Sequence, residues 1–167
     1  RRTFIKSVGT TAATVYVLWS SPAWIGPRLA LAADLNALNS DQAKAMLAMT
    51  RQLFPHDQLG DEYYWVVVQS IDKEMSGSNE LATRIRNGLA QLGTATGGDF
   101  SAAGASRQLA AMKQLEGTPF FTDMVNKTQF YFYNNKAVWP KFGYEGSSWE
   151  RGGYIDRGFD DVTWTDG

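Results

Sequence analysis

The stretch TPFFTDMVNKTQFYFYNN, residues 118–135, reads as a helix with both ends marked. Thr118 suits the N-cap, and Pro119 suits the first helical position, where it has no N–H to lose. Phe120, Phe121, Met124, Val125 and Thr128 follow at helical spacing. Asn134 and Asn135 end the run. Phe130-Tyr131-Phe132-Tyr133 differs from the rest. Four consecutive aromatics surround a helix on all sides, so this segment reads as buried from more than one direction. Its cover is either the tail that follows or a partner.

Upstream, the same period recurs. Asn39 or Ser40 is a good N-cap, and Asn39 with Gln42 has capping-box spacing. Ala43, Met46, Leu47, Thr50 and Leu53-Phe54 make a stripe that Pro55 ends. Residues 54–60 read as an ordered corner. A second helix is expected over about 61–75, with Tyr64, Val67, Val68, Ile71 and Met75 inward. A Gly-Ser-Asn turn at 77–79 leads to a third, with Leu81, Ala82, Ile85, Leu89 and Leu92 inward. Its Arg84 and Arg86 read as solvated charges. GTATGG, residues 93–98, is the best flexible loop. Phe100-Ser101 restarts structure, and Leu109, Met112 and Leu115 form another face. The fold expected is mainly α, a compact bundle of about five helices.

Composition narrows the chemistry. One hundred and sixty-seven residues suit one domain, and a net charge of −1 gives no footprint for nucleic acid. With no cysteine, disulfides, thiolate catalysis, cysteine-held iron–sulfur clusters and C-x-x-C-H haem attachment are excluded. His56 is the single histidine, so no histidine-rich metal site exists in this sequence. Phosphate-cradling glycine loops and nucleophile-elbow motifs are missing as well. No catalytic, cofactor-binding or metal residue is therefore expected, and any redox centre belongs to a partner. His56 beside Asp57 invites a base-and-orienter reading. Adjacent residues rarely hold that geometry, and a local cap or bond is the better expectation.

The first residues, Arg1-Arg2-Thr3-Phe4-Ile5-Lys6, resemble a twin-arginine export signal, with Arg1, Arg2, Phe4 and Lys6 as its marks. A moderately apolar, uncharged run follows over 7–27, and Ala30-Leu31-Ala32 offers an A-x-A cleavage site. Left uncleaved, the run would span roughly 30 Å as a helix, enough to anchor in a bilayer. Positive charges at its start place the body in the periplasm.

The tail, residues 137–167, has no regular period. Trp139, Phe142, Tyr144, Trp149, Tyr154, Phe159 and Trp164 stand at spacings of three, two, five, five, five and five. Glycines at 143, 146, 152, 153 and 158 suit a chain that turns often and takes positive φ. Such a segment must bury its rings against something else. Three readings stand open. The tail is a strap across a partner, with Arg157 pairing a carboxylate or carbonyls. It is a cover on its own helices. Or it is a sugar-binding or catalytic surface using Asp160 and Asp161, which consecutive positions disfavour because they point apart.

Trp139, Gly143-Tyr144-Glu145-Gly146, Gly152-Gly153-Tyr154, Arg157-Gly158-Phe159-Asp160-Asp161 and Trp164 resemble the C-terminal signature of the gluconate 2-dehydrogenase subunit 3 family. Leu53-Phe54-Pro55-His56-Asp57, Leu59-Gly60-Asp61 and Tyr64 extend the resemblance upstream. The resemblance implies a non-catalytic small subunit of a periplasmic, inner-membrane-associated flavoprotein dehydrogenase acting on a sugar, sugar acid or alcohol. It implies two partners, a large FAD-containing subunit of the glucose–methanol–choline type and a cytochrome c subunit carrying haem. The small subunit would carry the export signal and escort the flavin subunit. The partner-contact positions are then Trp139, Tyr144, Trp149, Tyr154, Arg157, Phe159, Asp160, Asp161 and Trp164. Three segments follow: a signal or anchor over 1–32, a helical body over 33–136 and a docking tail over 137–167. A stand-alone carbohydrate-binding module or small enzyme, or a transient export chaperone, is the alternative.

Overall fold

The computed structural model describes residues 35–153. Five α-helices form the body: α1 Ser40–Leu53, α2 Asp61–Gly77, α3 Asn79–Thr96, α4 Ala105–Gln114 and α5 Pro119–Tyr133. Two short 3-10 turns follow, Trp139–Phe142 and Ser148–Arg151. No strand occurs among the described residues, so the protein is mainly α. The export-signal residues Arg1, Arg2, Phe4 and Lys6 lie outside the described residues. So do Tyr154, Arg157, Phe159, Asp160, Asp161 and Trp164.

The helices begin where their capping chemistry places them. Asn39 and Gln42 form a reciprocal capping box on α1, with amide-to-side-chain distances of 2.9 and 3.1 Å. The Thr118 hydroxyl accepts from the Phe121 amide at 3.2 Å, with Pro119 just inside α5. Ser78 closes α2 and caps α3, so the two helices meet at one residue. α2 runs to Gly77, a half-turn past the expected end.

α2 packs against α1, α3 and α5, and α4 closes on α1 and α3. Tyr64, Val67, Val68, Ile71 and Met75 of α2 are buried, as are Leu81, Ala82, Ile85, Leu89 and Leu92 of α3. Each large apolar side chain so buried stabilises the fold by roughly 1.5–3 kcal/mol. Gly88 lets α3 and α5 approach closely. A Cβ there would lie 2.1 Å from the Phe120 ring, so α3 and α5 meet through the missing side chain.

Three expectations need correction. Residues 93–96 are the last turn of α3, not a loop, and only Gly97 takes the left-handed C-cap at φ +78. Arg84 and Arg86 are tied rather than simply solvated. Arg84 binds Asp123 of α5 at 2.6 Å and Glu80 at 3.1 Å, while Arg86 donates to the Ala37 carbonyl at 2.7 Å. Leu109 is exposed, and α4 instead buries Gln108, Ala111 and Met112. The Gln108 amide donates to the Phe100 carbonyl at 2.9 Å and its side-chain oxygen accepts from Gln52 at 2.8 Å, which satisfies a polar group on that face.

Asp72 is a carboxylate buried inside the apolar side of α2. It accepts three backbone N–H bonds, from Asn36 at 2.8 Å, Ala37 at 2.9 Å and Leu38 at 2.8 Å. A buried charge is tolerated only when so satisfied. With Arg86 holding the Ala37 carbonyl, Asp72 fixes the strand of chain that enters α1. Two buried polar atoms, Trp65 Nε1 and Thr128 Oγ1, have no partner among the described residues. An orphaned buried donor costs about 1–3 kcal/mol.

Candidate functional site

The corner between α1 and α2 is fixed before any tail residue reaches it. The Tyr64 hydroxyl donates to the Phe54 carbonyl at 2.6 Å and accepts from the His56 amide at 3.1 Å. Burial pushes the Tyr64 phenol above its ordinary range, so it stays a donor. Arg51 lies 4.7 Å over the Tyr64 ring, pairs with Asp61 at 3.1 Å and donates to the Leu59 carbonyl at 3.1 Å. The turn at residues 54–60 is therefore rigid on its inner side.

His56 projects from this corner into an aromatic cluster. Its ring stacks on Phe132 at 5.4 Å and meets Phe142 edge-on at 4.8 Å. Its Nε2 is 2.9 Å from the Tyr133 hydroxyl. The hydrogen-bond partner shown for the imidazole is the Tyr133 hydroxyl, not the neighbouring Asp57 carboxylate. The geometry suits fastening rather than proton transfer: His56 joins the corner, the end of α5 and the start of the tail. Sequence reasoning missed this because the partners lie more than seventy residues away.

The four aromatics of α5 divide between environments. Phe132 is fully buried and packs 4.6 Å from the Tyr64 ring. Tyr131 lies toward α2, where it and Lys127 both hydrogen-bond Glu74. Burial opposes the Glu74 charge, but those two bonds outweigh it and hold its carboxyl below the usual range. The same bond, aided by burial, pushes Tyr131 up to about 12. Phe130 and Tyr133 are exposed. Phe132 and Tyr131 are thus covered from two sides of this helix end, and among the described residues the Phe130 and Tyr133 face is left open.

The tail leaves α5 through Asn134 and Asn135 and is pinned by Val138, which is fully buried. Trp139 Nε1 donates to the Tyr133 carbonyl at 2.6 Å, and Lys136 lies 5.7 Å over its ring. Gly143, at φ +71, reverses the chain so that the Tyr144 amide reaches the Trp139 carbonyl at 3.0 Å. Tyr144 then meets Trp139 edge-on at 5.1 Å. Gly146, at φ +101, passes the Trp139 ring where even a Cβ would stand 3.5 Å away.

An exposed aromatic surface results at this end of the bundle. Trp149 is 89% exposed, Phe130 61% and Tyr144 51%, with Phe142 and Tyr133 also open. Tyr133 bridges its parts, 6.2 Å from Phe142 and bonded through its carbonyl to Trp139. Of the expected partner-contact residues, Trp139 and Tyr144 belong to this end of the bundle, and Trp149 stands exposed on the next turn, Ser148–Arg151. Phe130 and Phe142 join them without having been singled out as contacts. The run of aromatics at 130–133 was the available signal. Among the described residues, no group of His, Asp and Glu could hold a metal ion, and no helix is long and apolar enough to cross a membrane. No protein-family model, curated protein or solved structure matches this chain.

Proposed function

We propose that this protein is an accessory small subunit that docks a larger catalytic chain through the aromatic surface around Tyr133, Tyr144 and Trp149. The single observation that carries the reading is Trp149, a large ring left 89% exposed on a turn. Exposed apolar patches built of Trp, Tyr and Phe supply much contact area at low entropic cost, and interface centres favour them. The base of the tail is fixed by Val138, Trp139 and His56, so docking would not have to order that part. By resemblance in the motif residues, the partner is a periplasmic FAD-containing dehydrogenase subunit of the glucose–methanol–choline type, with a cytochrome c subunit as electron acceptor. Flavin and haem would belong to those chains, and the substrate would be a sugar, sugar acid or alcohol. This chain's part would be to stabilise the flavin subunit and escort it through twin-arginine export to the inner membrane.

The test is co-expression with the flavin subunit and retention on this chain. Trp149→Ala and Tyr144→Ala together should leave the melting temperature within about 2 °C, because exposed side chains contribute little to stability. The same pair should weaken retention at least about tenfold, as loss of an interface anchor does. Unchanged retention would move docking away from this surface. A second reading has one observation behind it. Trp139, Tyr144 and Glu150 ring a shallow hollow, an arrangement that suits a sugar face. It predicts carbohydrate binding by the isolated chain, lost in Tyr144→Ala.

A further inference from the structure

The hollow at the base of the tail has two aromatic walls and a charged rim. Trp139 and Tyr144 line it, with ring planes 73° apart and centroids 5.1 Å apart. Main chain holds both walls in place. The Trp139 indole N–H is spent on the Tyr133 carbonyl at 2.6 Å, and the Tyr144 amide on the Trp139 carbonyl at 3.0 Å. Gly146 runs beside the six-membered part of the indole with no side chain to cover it. The rim carries the Glu145 and Glu150 carboxylates and the Lys136 ammonium. Lys136 lines the hollow and also sets its Nζ 5.7 Å over the Trp139 ring. The indole on that side thus already holds a cation, close to the outer limit of about 6 Å for such contacts. Lys136 is exposed and reaches the ring on a flexible stem, so a better-fitting cation can displace it.

Shape and charge select that cation. A flat guanidinium stacks on one ring and cannot lie parallel to a second ring set at 73°. A tetrahedral trimethylammonium group turns methyls to both rings and needs no hydrogen-bond acceptor, the arrangement by which aromatic cages hold choline-type ligands. Two carboxylates against one ammonium leave the lining with an excess of negative charge, which favours a cation over a neutral guest.

We propose that this hollow binds a trimethylammonium group, its methyls against Trp139 and Tyr144 and its charge beside Glu150. The site shares Trp139 and Tyr144 with the docking surface but does not depend on docking, since the chain alone holds all its parts. Loss of one activity therefore leaves the other to be judged by itself.

Indole N–H signals of the ¹⁵N-labelled full chain report it directly. Trp139 is identified by the signal lost in Trp139→Phe or, should that variant not fold, by through-bond assignment of the unaltered chain. Choline chloride is the probe, with neohexyl alcohol as its uncharged isostere and glucose as the neutral sugar. The Trp139 signal should move saturably with choline and with neither control. Tyr144→Leu should weaken choline binding at least about threefold, while Tyr144→Phe keeps it. Lys136→Gln, which removes the resident cation, should tighten binding about threefold. Sedimentation with phosphatidylcholine vesicles, reversed by free choline, would assign the group to a lipid headgroup; choline binding without sedimentation would assign it to a free solute. Either source fits the proposal. No saturable shift with choline overturns it. So does an equal response to neohexyl alcohol, a response to glucose alone, or weaker choline binding in Lys136→Gln.

Discussion

Asp72 and Tyr131 each hold a piece of chain by one polar side chain, and each makes a prediction at the scale of a residue. Asp72 receives three amides from residues 36–38. Asp72→Asn keeps the shape but loses the charge and one acceptor oxygen. It should cost about 2 kcal/mol in urea unfolding, since bonds to charged groups are the strong ones. The amides of Asn36, Ala37 and Leu38 should also exchange faster with solvent. Unchanged protection there would mean the clamp is dispensable. Tyr131 carries a pKa raised to about 12 by its bond to Glu74, against about 10 in an unfolded chain. The folded state therefore keeps a proton that the unfolded state gives up. This stability is fully present below pH 10 and is lost as pH rises from about 10 to 12. Tyr64, also raised, adds to the same fall. Tyr131→Phe should flatten the alkaline decline measured by denaturant titration at pH 9 to 11. An equally steep decline in that variant would assign it elsewhere.

At the scale of elements, the contact between α3 and α5 turns on Gly88. Ala would ordinarily raise helix stability at a glycine by up to about 1 kcal/mol. Here its methyl group meets the Phe120 ring, and forcing a packed interface apart costs about 1–3 kcal/mol. Gly88→Ala should therefore destabilise the chain in a thermal melt. A more stable variant would show that the Phe120 ring moves aside freely. The helices themselves were legible, because their signals are local. Asn39 with Gln42, Thr118 with Pro119, and the stripes of α2 and α3 all act within a few residues. Gly88 was not legible, since a glycine inside a helical pattern does not announce the ring that will face it. Asp72 sat in plain sight beside Ile71, seven residues after Trp65 and so on its face of α2. A charge on that face signals a buried partner, but no local pattern says that the partner is the backbone of 36–38. The GTATGG stretch misled because its three glycines suggested a break, whereas Gly93 continues the helix and Gly97 caps it.

The whole molecule joins a closed helical body to an open aromatic end. His56 is the hinge of that arrangement in the structural sense: one ring touches Phe132 in the core, Tyr133 at the end of α5 and Phe142 in the tail. The candidate surface was legible in part. Tail aromatics divided by glycines marked Trp139, Tyr144 and Trp149, while Phe130 was hidden within a run that looked buried throughout. Direction on a helix separates Phe130 from Phe132, and sequence alone does not say which side the bundle covers. Native mass determination of the full chain, purified in mild detergent from cells that make it, tests the docking proposal most directly when paired with an absorbance spectrum of the same peak. The docking proposal predicts an assembly several times the 18.5 kDa chain mass, with flavin and haem bands. A folded, colourless species at or below 18.5 kDa would contradict it and leave the aromatic end without its partner.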